Sequence, residues 1–294
     1  MKRQTIVLGD NPLVNLKLFL LKDTEDNTPK PFVIVCPGGG FLGCSPNEGA
    51  PVARMLNRAG FHAAVLTYTT AATAPGVDAY PQALFDLADA ICTVRVNAYE
   101  WAVDQQRIAV LGFSAGGWLC AMYETHWNTA LFSGHGTPEE RQPNAAVLCY
   151  PLVDYRGGGM IKRDEADMEA VLGEGAAVQM KAFQAAVDKA LLGNRELADE
   201  LVREISPTNH ISDGTPPTFV WTTFGDGLLD PLQSLEYARK LHTASIPCEL
   251  HVFQDGAHGL SLATEATAHK PEQVDLHLAH WAELACEWLD RTFA

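Results

Sequence analysis

Six short apolar segments, separated by stretches of helical periodicity, constrain the fold of this chain more than any other feature of its sequence. Each is predicted to be a buried strand: 31–36, 61–68, 107–112, 145–150, 218–223 and 248–253. Helices are predicted over about 48–59, 81–99, from 115 to 123, and from about 275 to 291. Strands alternating with helices imply a mostly parallel sheet covered by helices on both faces. Such sheets place their chemistry at the carboxyl ends of the strands.

The stretch 155–205 departs from this alternation. It contains Gly157, Gly158 and Gly159 and then two helical patterns, over about 165–172 and 177–203, with no strand-like run between them. Charged residues cluster between positions 156 and 169. We expect residues 1–294 to form a single domain in which 155–205 is a helical insertion, a cap over the site. The alternative is a pair of ordinary outer helices.

The charge of the chain excludes some partners. Its net charge is −15, from 36 acidic and 21 basic residues, and no long basic run occurs. Such a surface repels phosphate backbones and anionic headgroups, so neither nucleic acid nor a membrane is an expected partner. The apolar run near the first residues is too short for a signal peptide, and we expect a cytoplasmic protein. The sequence leaves the oligomeric state open, a homo-oligomer included.

The cysteines do not follow a bridging or metal-binding pattern. There are seven, an odd number, and no pair has C-x-x-C spacing: positions 36, 44, 92, 120, 149, 248 and 286. Most lie in apolar segments, which favours buried free thiols in a reducing compartment over a disulfide framework or a zinc site. We expect no metal and no organic cofactor.

Gly112-Phe113-Ser114-Ala115-Gly116 matches the pattern G-x-S-x-G. It follows a predicted strand and precedes a predicted helix, the context in which a serine stands on a sharp turn. Small residues two positions before and after the serine allow that turn without a clash. The hydroxyl then lies at a helix N-terminus, where negative charge is favoured. We therefore interpret Ser114 as a nucleophile; a plain strand-to-helix turn is the alternative.

A second glycine-rich segment, Pro37-Gly38-Gly39-Gly40-Phe41, directly follows the first predicted strand. Consecutive glycines let backbone N–H groups approach a ligand closely, and such donors stabilise the oxyanion of a tetrahedral intermediate. We assign Gly39, Gly40 and the N–H of Ala115 to an oxyanion hole. A phosphate-binding loop lacks support, because neither the Lys-Ser/Thr of a P-loop nor G-x-G-x-x-G spacing is present. A flexible turn is the remaining alternative.

A serine nucleophile needs a histidine base and a carboxylate that orients it. Among ten histidines, His258 stands in a loop just after the sixth predicted strand. Asp226 follows the fifth strand and is the expected acid; Asp230 is the second candidate, and Asp255 is the weakest because it shares the loop of His258. The order Ser114, Asp226, His258 is that of the α/β-hydrolases.

These motifs resemble the intracellular acetyl esterases, acetylxylan-esterase-like α/β-hydrolases related to the hormone-sensitive-lipase-like esterases. The resemblance runs over nearly the whole chain and rests on Cys36–Phe41, Glu48–Ala53, Tyr80-Pro81, Gly112–Gly117, Ser206-Pro207, Thr215–Phe219, Asp226 and Gly256–Gly259. It implies the α/β-hydrolase fold, the triad Ser114, Asp226 and His258, and the oxyanion hole named above. Three positions depart from the family pattern: Pro37 and Trp118 replace frequent histidines, and Gly225 replaces an aspartate.

The resemblance implies a serine carboxylesterase that acts on a small-molecule ester through an acyl-enzyme. It favours short acyl groups, acetyl above all, on small sugars. A peptidase of the same fold is one alternative; comparing ester with amide turnover separates the two. A non-catalytic binding protein on this fold is the other, and fluorophosphonate labelling separates it.

Overall fold

The computed structural model describes residues 4–21, 28–156 and 175–294. Its strands are β1 (Thr5–Val7), β2 (Asn15–Phe19), β3 (Lys30–Cys36), β4 (His62–Thr67), β5 (Val103–Phe113), β6 (Ala145–Cys149), β7 (Thr218–Thr223) and β8 (Cys248–Phe253). Its helices are α1 (Ala50–Arg58), α2 (Ala79–Val96), α3 (Ala98–Trp101), α4 (Ala115–His126), α5 (Pro138–Arg141), α6 (Ala176–Leu192), α7 (Asp199–Glu204), α8 (Leu232–Thr243), α9 (Leu276–Ala279) and α10 (Trp281–Thr292).

The described strands form one sheet in the order β1-β2-β4-β3-β5-β6-β7-β8. Strands β3 to β8 run parallel to one another and correspond to the six predicted strands, which confirms the mostly parallel sheet. Strands β1 and β2, which were not predicted from the sequence, add an antiparallel edge. The predicted α/β-hydrolase architecture is therefore correct, extended by two strands.

Side chains from both faces of the sheet enter apolar clusters. On one face, Val33 and Val35 of β3 lie in a cluster with residues of α1 and α10. On the other, Phe32 and Ile34 lie with residues of α2, α4 and α8. Both faces of β3 are buried because helices cover the sheet on both sides, as expected for a parallel sheet. Within the described ranges, none of the helices combines the length and apolar character that a membrane crossing requires.

Helices α6 and α7 lie between β6 and β7 in the chain. The single helix predicted over 177–203 is wrong in its length: α6 ends before Gly193, whose φ of 65° leaves the helical range. The helix predicted over 165–172 and the three glycines 157–159 lie outside the described residues. Hydrogen bonds tie this region to the rest of the fold, one from Trp118 Nε1 to the carbonyl of Ile205 (2.7 Å).

Glu124 on α4 is a buried carboxyl at the amino edge of the sheet, opposite the edge where the strands end. Its side chain accepts hydrogen bonds from the hydroxyls of Tyr237 and of Thr218, the first residue of β7. Burial raises the pKa of Glu124 to about 8, although both hydrogen bonds oppose the shift. The folded protein therefore holds this proton more tightly than the unfolded chain does.

We expect this raised pKa to make stability depend on pH. The contribution is complete below the ordinary pKa of 4.5 and is lost as pH rises to about 8. Between these two pKa values, the free energy of unfolding of the wild type should fall relative to that of Glu124→Gln, by as much as about 1.4 kcal/mol per pH unit. Urea denaturation of both proteins at several pH values measures the difference. A difference that does not vary with pH would contradict it.

Candidate active site

Ser114 stands on the turn between β5 and α4, and its backbone is strained. Its φ of 52° and ψ of −116° lie where residues with side chains are rare. Close packing enforces the turn: a methyl group built on Gly116 would lie 2.0 Å from the carbonyl oxygen of Cys36. The backbone N–H of Ser114 also donates to the carbonyl of Cys149 (3.0 Å). These contacts hold the turn at Ser114 between β3 and β6, at the N-terminus of α4.

The structure brings Ser114, His258 and Asp226 together in one hydrogen-bonded row. Nδ1 of His258 lies 2.7 Å from Oδ2 of Asp226, and Nε2 lies 2.8 Å from Oγ of Ser114. In the tautomer whose Nδ1 donates to the Asp226 carboxylate, Nε2 accepts the hydrogen bond of the serine hydroxyl. This is the arrangement in which an imidazole acts as a base toward a hydroxyl.

The surroundings of Asp226 hold its carboxylate in one orientation. Its other oxygen, Oδ1, accepts from the backbone N–H groups of Leu228 (2.8 Å) and Leu229 (3.0 Å). The alternative acid, Asp230, instead accepts from the N–H of Leu232 at the start of α8. Asp255, the weakest candidate, is exposed. Of the three carboxylates considered, Asp226 is the one hydrogen-bonded to His258.

The glycine loop after β3 lies beside the serine. Gly39 has a φ of 130°, and a methyl group built there would lie 2.3 Å from the carbonyl oxygen of Gly43, so no side chain fits. Gly39, Gly40 and Ala115, the three residues predicted to form an oxyanion hole, all line the cavity that contains Ser114 and His258. Backbone N–H groups at this position can hydrogen-bond a negatively charged oxygen next to the serine.

The cavity has a volume of about 290 Å³ and apolar walls on the side facing α6. Phe183 and Val187, one helical turn apart on α6, line it. A methyl group built on Gly40 would lie 3.1 Å from Cγ2 of Val187 and 3.2 Å from Cζ of Phe183. Helix α6 therefore closes the space directly over the glycine loop. The remaining apolar lining residues are Phe41, Leu152, Leu228 and Leu229.

Several residues that line the cavity were not predicted from the sequence to have a function. Phe183 and Val187 lie in a segment predicted only as helix, and their four-residue spacing was the available signal. Glu48 also lines the cavity and is 3% exposed. It belongs to one of the motifs on which the family resemblance rests. Its burial, however, cannot be recognised from the amino-acid sequence. Within the described ranges, no group of three or more His, Cys, Asp or Glu side chains is arranged to hold a metal.

Comparison with known proteins places the chain in a family. Residues 33–262 match the model of a family with the α/β-hydrolase fold. The structure is similar to the carboxylesterase Cest-2923 from Lactobacillus plantarum WCFS1, with 26% identity, a TM-score of 0.80, and coverage of 99% of this chain and 98% of that one. It also resembles an acetyl ester-xyloside bifunctional hydrolase from Caldicellulosiruptor lactoaceticus, with 31% identity, a TM-score of 0.74, and coverage of 98% and 96%.

A curated relative is an acetylxylan esterase from Xylanibacter ruminicola, 23% identical over 282 residues, which are 95% of this chain and 50% of that protein. The curated relatives are longer proteins, and the chain spans 34% to 63% of their length. The family match covers most of the chain. This protein therefore belongs to the α/β-hydrolase family, as its motifs indicated.

The geometry predicts that Asp226→Asn and Asp230→Asn differ sharply in serine reactivity. In Asp226→Asn the new side-chain carbonyl can still accept from the backbone, but its amide would face Nδ1 and favour the wrong imidazole tautomer. We expect the rate of labelling by a fluorophosphonate to fall about 10³–10⁴-fold in Asp226→Asn. Asp230→Asn, the matched control, should label at nearly the wild-type rate. Equal labelling rates in the two variants would show that Asp226 does not orient His258.

Proposed function

We propose that this protein is a serine carboxylesterase with Ser114 as nucleophile, His258 as general base and Asp226 as the carboxylate that orients it. The observation that carries the proposal is the hydrogen-bonded row from Ser114 through His258 to Asp226. It lies at the wall of a cavity that Gly39, Gly40 and Ala115 also line. A solved structure similar to this one is named a carboxylesterase, and a curated sequence relative is named an acetylxylan esterase.

In the acylation step, Ser114 Oγ attacks the ester carbonyl while His258 Nε2 takes its proton. The carbonyl oxygen becomes an oxyanion that accepts hydrogen bonds from Gly39, Gly40 and Ala115. In known cases, losing one such donor costs about 3–4 kcal/mol of transition-state stabilisation. The intermediate then collapses: the bond between the carbonyl carbon and the alkoxy oxygen breaks, and the protonated His258 gives its proton to that oxygen, so that the alcohol leaves and the acyl group stays on Ser114. Asp226 stabilises the imidazolium without taking its proton.

In the deacylation step, water replaces the alcohol. His258 accepts a proton from the water as it attacks the acyl carbonyl, and the same N–H groups bind the second oxyanion. Collapse of this intermediate returns the proton to Ser114 and releases the carboxylic acid. The cycle uses only side chains and backbone groups of this chain, so the proposal invokes no cofactor.

The cavity favours short acyl groups. Its volume of about 290 Å³ lies at the lower end of the range for small-molecule sites, roughly 300–1,000 Å³. Phe183 and Val187 lie against Gly40 of the glycine loop, and we propose that an acyl chain on Ser114 extends toward them. We therefore propose that acetyl and similar groups fit and that longer chains meet the aromatic ring of Phe183.

The alcohol part is proposed to be a small sugar. One similar structure is named an acetyl ester-xyloside bifunctional hydrolase, and one curated relative is named an acetylxylan esterase. A site that hydrogen-bonds sugar hydroxyls rejects analogues lacking them, so a sugar acetate should outperform a simple acetate of similar size. The charged residues at 162–169, which the sequence favours for such contacts, lie outside the described residues. We also propose that 155–205 acts as a cap over the site.

The test of the proposed function is the loss of ester hydrolysis in Ser114→Ala. We expect p-nitrophenyl acetate turnover to fall by on the order of 10⁶, because the attacking atom is removed. Circular dichroism and thermal unfolding should match wild type, which separates lost chemistry from lost fold. A purified variant that keeps a tenth of the wild-type rate would place the nucleophile elsewhere. Wild-type turnover of amides but not esters would favour a peptidase.

Acyl-chain selectivity should depend on Phe183. In Phe183→Ala the cavity gains length, and each methylene newly buried contributes about 0.8 kcal/mol. We expect the octanoyl-to-acetyl ratio of kcat/KM to rise about tenfold or more. Val178→Ala, an exposed position on the same helix, is the matched control and should leave the ratio unchanged. An unchanged ratio in Phe183→Ala would mean that the acyl chain lies on another side of the cavity.

A further inference from the structure

One buried carboxyl group at the site has no part in the proposed triad. Glu48, between the glycine loop and α1, is 3% exposed and lines the cavity together with Ser114 and His258. Burying a carboxyl group in a protein is costly unless hydrogen bonds replace its water. Burial raises the pKa of Glu48, while hydrogen bonds and the nearby His258 oppose the shift. The contacts that compensate for this burial indicate what the side chain does.

The first contact joins Glu48 to the glycine loop. The backbone N–H of Gly38 donates to Oε2 of Glu48 at 2.8 Å. Gly38 directly precedes Gly39 of the proposed oxyanion hole. This hydrogen bond therefore fixes the backbone just before the N–H groups of Gly39 and Gly40. The nucleophile is equally near: a methyl group built on Gly38 would lie 2.9 Å from both Oε2 of Glu48 and Cβ of Ser114.

The second contact joins Glu48 to the histidine through Tyr150, which follows β6. The Tyr150 hydroxyl donates to Oε1 of Glu48 at 2.6 Å and accepts from the N–H of Ser261 at 3.1 Å. Ser261 lies three residues after His258 in the same loop. The Tyr150 ring also packs edge-to-face on the His258 imidazole, with centroids 5.0 Å apart and planes at 67°. Tyr150 therefore supports both the ring and the loop of the base.

We propose that Glu48 is a positioning residue that fixes the oxyanion loop and the catalytic histidine relative to each other. One carboxylate accepts from both elements, through Gly38 on one side and Tyr150 on the other. The donors of an oxyanion hole act by being correctly placed before charge develops. Their displacement therefore weakens binding of the transition state more than binding of the ester. The inference rests on the proposed function, since it acts through that triad.

The chain supplies a matched control at the opposite edge of the sheet. Glu124 is also a buried carboxyl that accepts from a tyrosine hydroxyl, that of Tyr237. The experiment compares Glu48→Gln and Tyr150→Phe with Glu124→Gln and Tyr237→Phe. Glutamine keeps the size of glutamate but offers one acceptor oxygen where the carboxylate offers two. In Glu48→Gln, Gly38 and Tyr150 therefore cannot both keep their acceptor.

For each variant, kcat and KM for p-nitrophenyl acetate are measured per active site, counted by fluorophosphonate titration. The inhibition constant of a trifluoromethyl ketone, whose adduct with a serine carries an oxyanion, is measured in parallel. We expect kcat to fall about 10–100-fold in Glu48→Gln and Tyr150→Phe, less than the 10²–10³ for losing an oxyanion donor itself. KM should change less than about threefold, and the ketone should bind more weakly in proportion to kcat/KM.

The control variants should keep wild-type kcat, KM and ketone affinity. Unchanged kcat in Glu48→Gln would overturn the proposal, as would a raised KM with unchanged kcat, which would make Glu48 a substrate-binding group. If Glu48→Gln fails to fold, Tyr150→Phe alone decides, by the same criteria. Failure of the proposed function is distinguished by Ser114→Ala: wild-type turnover in that variant would remove the triad and, with it, the role of Glu48.

Discussion

Backbone packing at Gly116 is the constraint on which the site depends. The start of α4 lies so close to the end of β3 that a methyl group there would meet the carbonyl oxygen of Cys36 at 2.0 Å. This contact fixes the helix against the strand and holds Ser114 at a positive φ. It also brings the glycine loop after β3 beside the serine. The proposed nucleophile and the proposed oxyanion hole therefore share one packing contact, and the surrounding core holds Ser114 in its strained backbone conformation.

The parallel sheet then brings the remaining groups to the same edge. Asp226 follows β7 and His258 follows β8, the neighbouring strand, so their side chains meet where both strands end. Asp226 is held by backbone N–H groups and Glu48 by Gly38 and Tyr150. One buried carboxyl group thus contacts the imidazole directly and a second reaches it through Tyr150, and each is fixed by hydrogen bonds.

Much of this arrangement could be predicted from the sequence, because its signals are local. Apolar runs marked the six parallel strands, and G-x-S-x-G between a strand and a helix marked the turn at Ser114. Strand β2 was missed because it is short and lacks a continuous apolar run: Leu16 and Leu18 are buried, while Lys17 between them is exposed. The contact of Phe183 with the glycine loop, and the link from Glu48 to Tyr150 across 102 residues, depend on tertiary packing, which no local pattern encodes.

The roles proposed for Ser114 and the glycine loop can be tested by a crystal structure of the protein after reaction with a phosphonate ester. The proposed mechanism requires that phosphorus be bonded to Oγ of Ser114. It also predicts that the phosphoryl oxygen lies about 2.7–3.1 Å from backbone nitrogens among Gly39, Gly40 and Ala115, the distance expected for an oxyanion. An adduct on another residue, or a phosphoryl oxygen turned away from these N–H groups, would contradict it.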